Sequence, residues 1–177
     1  MKNSILPIAV FVITLISSLQ LTAQEFKSLD KSPMDVAAFP SSYKISDKIV
    51  KVIYSRPQLN GRDLVKLAPP EKIWRTGANE AAEITFYKDV IFGGKALKAG
   101  TYSLFTIPSY DGDWTVIINR ARNVWGSYYY KQDKDVVRIS GKTSKTEENI
   151  EAFSMMFDKD MTLKMGWGKT VISVSIK

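Results

Sequence analysis

There is no cysteine and no histidine anywhere in this sequence. The first absence excludes disulfides, a cysteine nucleophile and thiolate metal sites. The second removes the imidazole base and histidine metal ligands. Any bound metal would need oxygen ligands, which narrows the field to calcium or magnesium. Helical patterning is also scarce, since no segment of the mature chain has convincing amphipathic length at a 3.6-residue period. Fixed-period repeats and low-complexity tracts are missing as well, so the chain is not a repeat array.

What is present begins with an address. Lys2 supplies a positive start, Ile5 to Ile16 is almost wholly apolar, and Ala23 precedes the polar Gln24. That order is a secretory signal, and residues 1–23 are expected to be removed on export. An apolar run of about a dozen residues is short for a membrane span of roughly 20, so no stable span is expected in the mature chain. No cysteine follows the run to take a lipid. The protein is therefore expected to be periplasmic or secreted. Residues 24–177 have the length of one domain, enough for a core without staples. The formal charge of +7 comes from scattered lysines rather than a stripe. Such scatter reads as solubility and argues against nucleic acid as a partner.

Residues 24–40 read as a loose leader, interrupted by Pro33 and Pro40, with the β domain expected over 41–177. From about residue 43 the apolar period becomes two. Val50, Val52 and Tyr54 share a face, and Tyr43–Ile45 with the turn at Ser46-Asp47-Lys48 suggests a hairpin into that strand. Residues 55–81 are mostly loop, with a short helical or extended piece near Leu64–Ala68 stopped by Pro69-Pro70. Strands follow at 82–87, 90–92, 95–97, 101–107 and 114–119, with Gly93-Gly94 as a tight turn. A last set is expected at 136–140, 152–157, 161–167 and 170–176. About nine or ten short strands with frequent turns make an all-β protein, an antiparallel β-sandwich or flattened barrel.

Several strings are long enough to be specific. Tyr54-Ser55-Arg56-Pro57, Asn60-Gly61-Arg62 and Ile73-Trp74-Arg75-Thr76-Gly77-Ala78-Asn79-Glu80-Ala81 come in that order. Phe92-Gly93-Gly94-Lys95, Ala99-Gly100-Thr101-Tyr102-Ser103-Leu104-Phe105-Thr106-Ile107-Pro108, Trp114–Asn119 and Trp125-Gly126 follow. On these strings the chain resembles the DUF2911 family of exported bacterial proteins, over roughly residues 33–177. The resemblance implies the domain's extent and its export. It carries no catalytic residue, because the family's function is not established.

Chemistry is sought first in the long loop. Arg56, Arg62, Arg75, Asn79 and Glu80 form the candidate ligand-binding set. A guanidinium fork clamps a carboxylate, sulfate or phosphate; Asn79 both donates and accepts; Glu80 can orient an arginine or act as acid/base. The plain structural alternative is that the arginines pin the loop's own carbonyls. Trp74, Trp114, Trp125 and Tyr128-Tyr129-Tyr130 are the second candidate, as platforms for sugar rings or as core. On a strand, Trp125, Ser127 and Tyr129 would share a face. Asp111 with Asp113, and Asp158 with Asp160, lack the ligand count of a calcium loop. No metal and no cofactor is expected. Two readings follow. One is an exported binding or structural module of the cell envelope, holding an anionic or sugar-like ligand or an envelope partner. The other is a hydrolase or lyase acting on envelope carbohydrate or a small acid, with Glu80 as general acid/base.

Overall fold

A computed structural model describes residues 26–177. The expected signal segment and its cleavage after Ala23 lie outside the described residues. No helix among the described residues is long and apolar enough to cross a membrane.

The structure is all-β. Seven strands form one antiparallel curled sheet, in the order β1-β2-β3-β6-β7-β8-β9, and β4 and β5 make a separate hairpin. The strands are β1 (Met34–Phe39), β2 (Val50–Ser55), β3 (Ala82–Phe86), β4 (Val90–Phe92), β5 (Lys95–Leu97), β6 (Gly100–Ile107), β7 (Trp114–Asn119), β8 (Asp135–Phe157) and β9 (Leu163–Val174). A one-turn helix, α1 (Leu64–Leu67), sits in the long loop.

Alternation explains the inner face. Val50, Val52 and Tyr54 of β2 and Ala82, Ile84 and Phe86 of β3 are buried, while Lys51, Glu83 and Thr85 between them are only partly covered or exposed on the outside. β6 and β7 break the pattern because both their faces are covered. Leu104, Val116 and Ile118 join the main core, whereas Phe105 and Ile117 point the other way into a second, smaller core with Ala81 and Val124. Segments 73–81 and 121–130 form the lid of that second core. This is what brings the motif loop and the tyrosine-rich turn together.

Three features differ from the sequence reading. The leader is not loose throughout, because Met34–Phe39 pairs antiparallel with β2 as an edge strand. Its alternation is weak, and flanking prolines hide it. The expected hairpin through Tyr43–Ile45 is absent. Those residues lie in the β1–β2 connection, where Lys48 Nζ donates to the carbonyls of Pro40 (2.6 Å) and Ser42 (2.8 Å). The last four expected strands are two long ones. β8 pairs with β7 up to Gly141, then turns onto β9 from Lys142. β9 runs through the glycines that read as a turn, with an irregular register and Gly168 at φ 58.

The curled sheet closes on itself by ties outside the ladder. Phe153 N–H donates to Pro57 O and Leu59 N–H to Glu151 O, which join the loop after β2 to the far half of β8. At the other end, Ile91 and Lys177 exchange backbone hydrogen bonds of 2.7 and 3.0 Å.

Candidate functional site

The five loop residues singled out from sequence separate into two groups. Arg56 and Arg62 are braces. Arg56 Nε donates to Phe153 O, its Nη2 to Ser154 Oγ, and its Nη1 pairs with Asp35 at 3.1 Å. It thus ties β1, β2 and β8 together, beside the Tyr54 hydroxyl that accepts from Met155 N–H at 2.8 Å. Arg62 donates to Leu59 O and Gln58 O of its own loop. Both satisfy carbonyls that the long loop would otherwise leave bare.

Arg75, Asn79 and Glu80 lie in a loop that is pinned at every turn. Trp74 and Thr106 exchange backbone hydrogen bonds of 2.7 and 3.0 Å, which anchors the loop to β6. Ala82 N–H donates to Arg75 O, Ala81 N–H to Val124 O and Gly126 N–H to Asn79 O. Glu80 and Trp125 form an isolated antiparallel bridge. Gly77 is there because nothing larger fits: a Cβ would lie 2.9 Å from Ser55 O. Thr76 is fully buried at φ 54, a conformation costly for a β-branched residue, and its hydroxyl lies 3.3 Å from that of Thr106. Asn79 also has positive φ. Local strain of this kind gathers where a loop must present side chains in a fixed way.

Behind the Glu80–Trp125 bridge is a cleft of about 210 Å³, lined by Met34, Ile53, Ser55, Glu80, Glu83 and Asn123 among others. Glu83 is held, accepting from Asn123 N–H at 2.7 Å; Glu80 is exposed. Ile53 and Glu83 are cross-strand neighbours on the sheet's outer face and both line the cleft. A larger and more open hollow of about 670 Å³ lies between Val36, Lys51 and Tyr87, but the motif loop takes no part in it.

The aromatic residues also divide. Trp74 and Trp114 are 7% and 1% exposed and belong to the core. Trp74 stacks on Trp167 at 5.3 Å and meets Trp114 and Phe153 edge-on. By contrast Trp125 is 56% exposed, Tyr128 80% and Tyr129 71%. Residues 126–129 form a turn, so the strand face expected for Trp125, Ser127 and Tyr129 does not exist. Tyr130 instead points into the second core, donating to Asp135 at 2.6 Å and accepting from Arg138 at 2.8 Å. Asn119, wholly buried, holds the same carboxylate and the Lys131 carbonyl. These bonds fix the turn and leave Trp125 and Tyr128 on the surface.

Arg75 stands at the Gly126 end of this turn. A methyl placed on Gly126 would lie 2.9 Å from the Tyr128 ring and 3.8 Å from Arg75 Nη1. Arg75 Nε is buried without a hydrogen-bond partner. The Asp turns, finally, are taken up by structural bonds, Asp113 tying its turn to β8 and Asp158 closing its own turn. Asp113 accepts from Thr143 N–H and Ser140 Oγ–H, and Asp158 from the N–H groups of Asp160 and Thr162. Those contacts, Thr162 first, hold the Asp158 carboxyl below its ordinary range. No cluster of three or more carboxylates suited to a metal occurs among the described residues.

Glu83 and Asn123 were missed from sequence. Glu83 reads there as a polar residue on a strand's solvent face, and only its register opposite Ile53 places it in the cleft.

Together these features define a curled antiparallel β domain with a small cleft and, bridged to its Glu80 through the backbone, a turn that carries exposed aromatics. The chain belongs to the DUF2911 family, described as a protein of unknown function, whose pattern matches residues 32–176. No curated protein and no solved structure matches this chain.

Proposed function

We propose that this protein is an exported saccharide-binding module of the cell envelope. One observation carries the reading: Trp125, alone of the tryptophans on the surface, is bridged through its backbone to Glu80 at the mouth of a cleft that also holds Glu83 and Asn123. An indole face covers the C–H side of a pyranose, and carboxylates with an amide supply acceptors and donors for its hydroxyls. The cleft is smaller than the 300 Å³ or so at which enclosed small-molecule pockets begin, which suits a ring lying on a platform rather than a buried ligand. Arg56 and Arg62 are engaged elsewhere, so an arginine clamp of three does not assemble.

A second reading, a glycoside hydrolase or lyase, draws on Glu80 and Glu83 lining one cleft. Exposure of Glu80 weighs against it, because nothing there shuts solvent away from a reacting bond.

The test is calorimetry of the mature protein against a panel of neutral oligosaccharides, with reducing ends assayed in parallel. Binding is expected without turnover. Trp125→Ala should weaken it by about tenfold or more while the melting temperature stays put, since the indole is exposed. Turnover abolished by Glu80→Gln would favour the hydrolase. Binding unaffected by Trp125→Ala would remove the platform from the proposal.

A further inference from the structure

Arg75 is the one candidate arginine of the loop with no structural duty for its charge. Its Nε is buried and unpaired, and its terminal nitrogens bond to no acceptor and join no ion pair among the described residues. Arg75 as a whole is only half-buried, which leaves the far end of the side chain, unlike Nε, within reach of solvent. With Nε closed off, the open edge of the fork is the one carrying Nη1 and Nη2, which suits an oxyanion approaching end-on. That edge lies beside Gly126 and the ring of Tyr128, itself one of the most exposed side chains of the protein. The backbone of 123–126 therefore carries two chemistries: Asn123 at the cleft, Arg75 against Gly126, and Trp125 between them.

We propose that the saccharide is acidic, and that Arg75 anchors an oxyanion carried on a ring at or next to the one that covers Trp125. This rests on the saccharide reading above and adds the ligand's charge. The oxyanion is a uronic-acid carboxylate or a sulfate ester, which the guanidinium treats alike. Neither Glu80 nor Glu83 forms an ion pair with Arg75 among the described residues, and the Glu83 carboxylate is already engaged by Asn123 N–H. The net positive charge, +7 over the full sequence and one less without Lys2, favours such a ligand.

The experiment uses the mature protein with four probes in two pairs: trigalacturonate with its methyl ester, and a sulfated oligosaccharide with its unsulfated neutral parent. The wild type is expected to bind at least one charged probe about tenfold tighter than its neutral counterpart, as a charge-assisted bond would give. That preference should shrink as salt rises, and the neutral probes should be insensitive. Arg75→Gln should abolish the preference while keeping the neutral binding. Arg75→Lys, which keeps the charge but not the fork, should retain only part of it. Preference for trigalacturonate alone assigns a carboxylate, and preference for the sulfated probe alone assigns a sulfate; either upholds the proposal. Equal binding of charged and neutral probes, or a preference that survives Arg75→Gln, overturns it. If neutral sugars bind through Trp125 with no charge preference, only the acidic assignment fails. If no saccharide binds at all, the parent reading fails with it.

Discussion

Three tyrosine hydroxyls are where burial and hydrogen bonding at single residues reach furthest into the protein's behaviour. Tyr110 donates to Ala68 O at 2.7 Å from a site where loss of water pushes its pKa up to about 12. Tyr130 also rises to about 12, through burial first and then its bond to Asp135, against the pull of Arg138. Burial raises Tyr54 as well, although Met155 N–H favours its phenolate. The unfolded chain releases these protons near pH 10. Between that pH and about 12 the folded state holds protons that the unfolded state has lost, so stability falls as pH rises. The contribution is whole below pH 10 or so. The melting temperature is therefore expected to drop steeply across this window, and Tyr110→Phe should show a shallower slope. Thermal melts at stepped pH, with tyrosinate absorbance followed in parallel, provide the check. A melting temperature flat to pH 12 would contradict it.

Among the elements, β8 has the hardest task, because it serves β7 with one half and β9 with the other. The handover falls at Gly141, whose register partner is Trp114, while Lys142 already faces Ser173. A Cβ at Gly141 would lie 2.6 Å from Val116 Cγ2 and 2.7 Å from Ile172 Cγ2. Both belong to buried core residues, which cannot swing aside freely. Gly141→Ala should cost about 1–3 kcal/mol through overpacking, read as a lower urea midpoint at unchanged slope. Stability within a few tenths of wild type would show that the core yields there. The same strand shows why some elements were legible in the sequence and others were not. β2, β3 and β7 announce themselves by alternation or apolar runs because one or both faces are buried. Residues 142–149 are mostly exposed, so their Lys, Thr, Ser and Glu carry no buried face to give a period. β9 was split because glycines at 166 and 168 read as a turn, whereas here Gly168 takes the left-handed conformation within the strand. For the site, the motif loop could be located from its strings alone. Which arginines were braces could not, since the partners of Arg56 on β8 lie 97 and 98 residues away.

At the scale of the whole molecule, stability depends on how the sheet's ends are stopped, since an open edge invites other chains. At one of them β1 is the outermost strand and covers β2. It pairs with β2 along its full length from Met34↔Ser55 to Phe39↔Val50. Asp35 supplies the carboxylate for Arg56, and Phe39 packs edge-on against Phe157 of β8 at 6.5 Å. A chain beginning at residue 41, the boundary suggested by composition, would lose all three. The backbone groups of β2 would then face solvent beside its buried residues Val50, Val52 and Tyr54. Arg56 would lose its partner anion while still holding the carbonyl of Phe153. A chain beginning at residue 26 keeps every one of these contacts and contains the whole family match from residue 32. The 26–177 chain should run as a single species on a sizing column and melt in one cooperative step. The 41–177 chain should self-associate or unfold at markedly lower temperature, because an exposed β2 edge is a template for pairing with another copy. If both chains melt at the same temperature and elute alike, β1 contributes little to the fold, and the curled sheet is closed by the ties of residues 57–59 to β8 and of Ile91 to Lys177 without it.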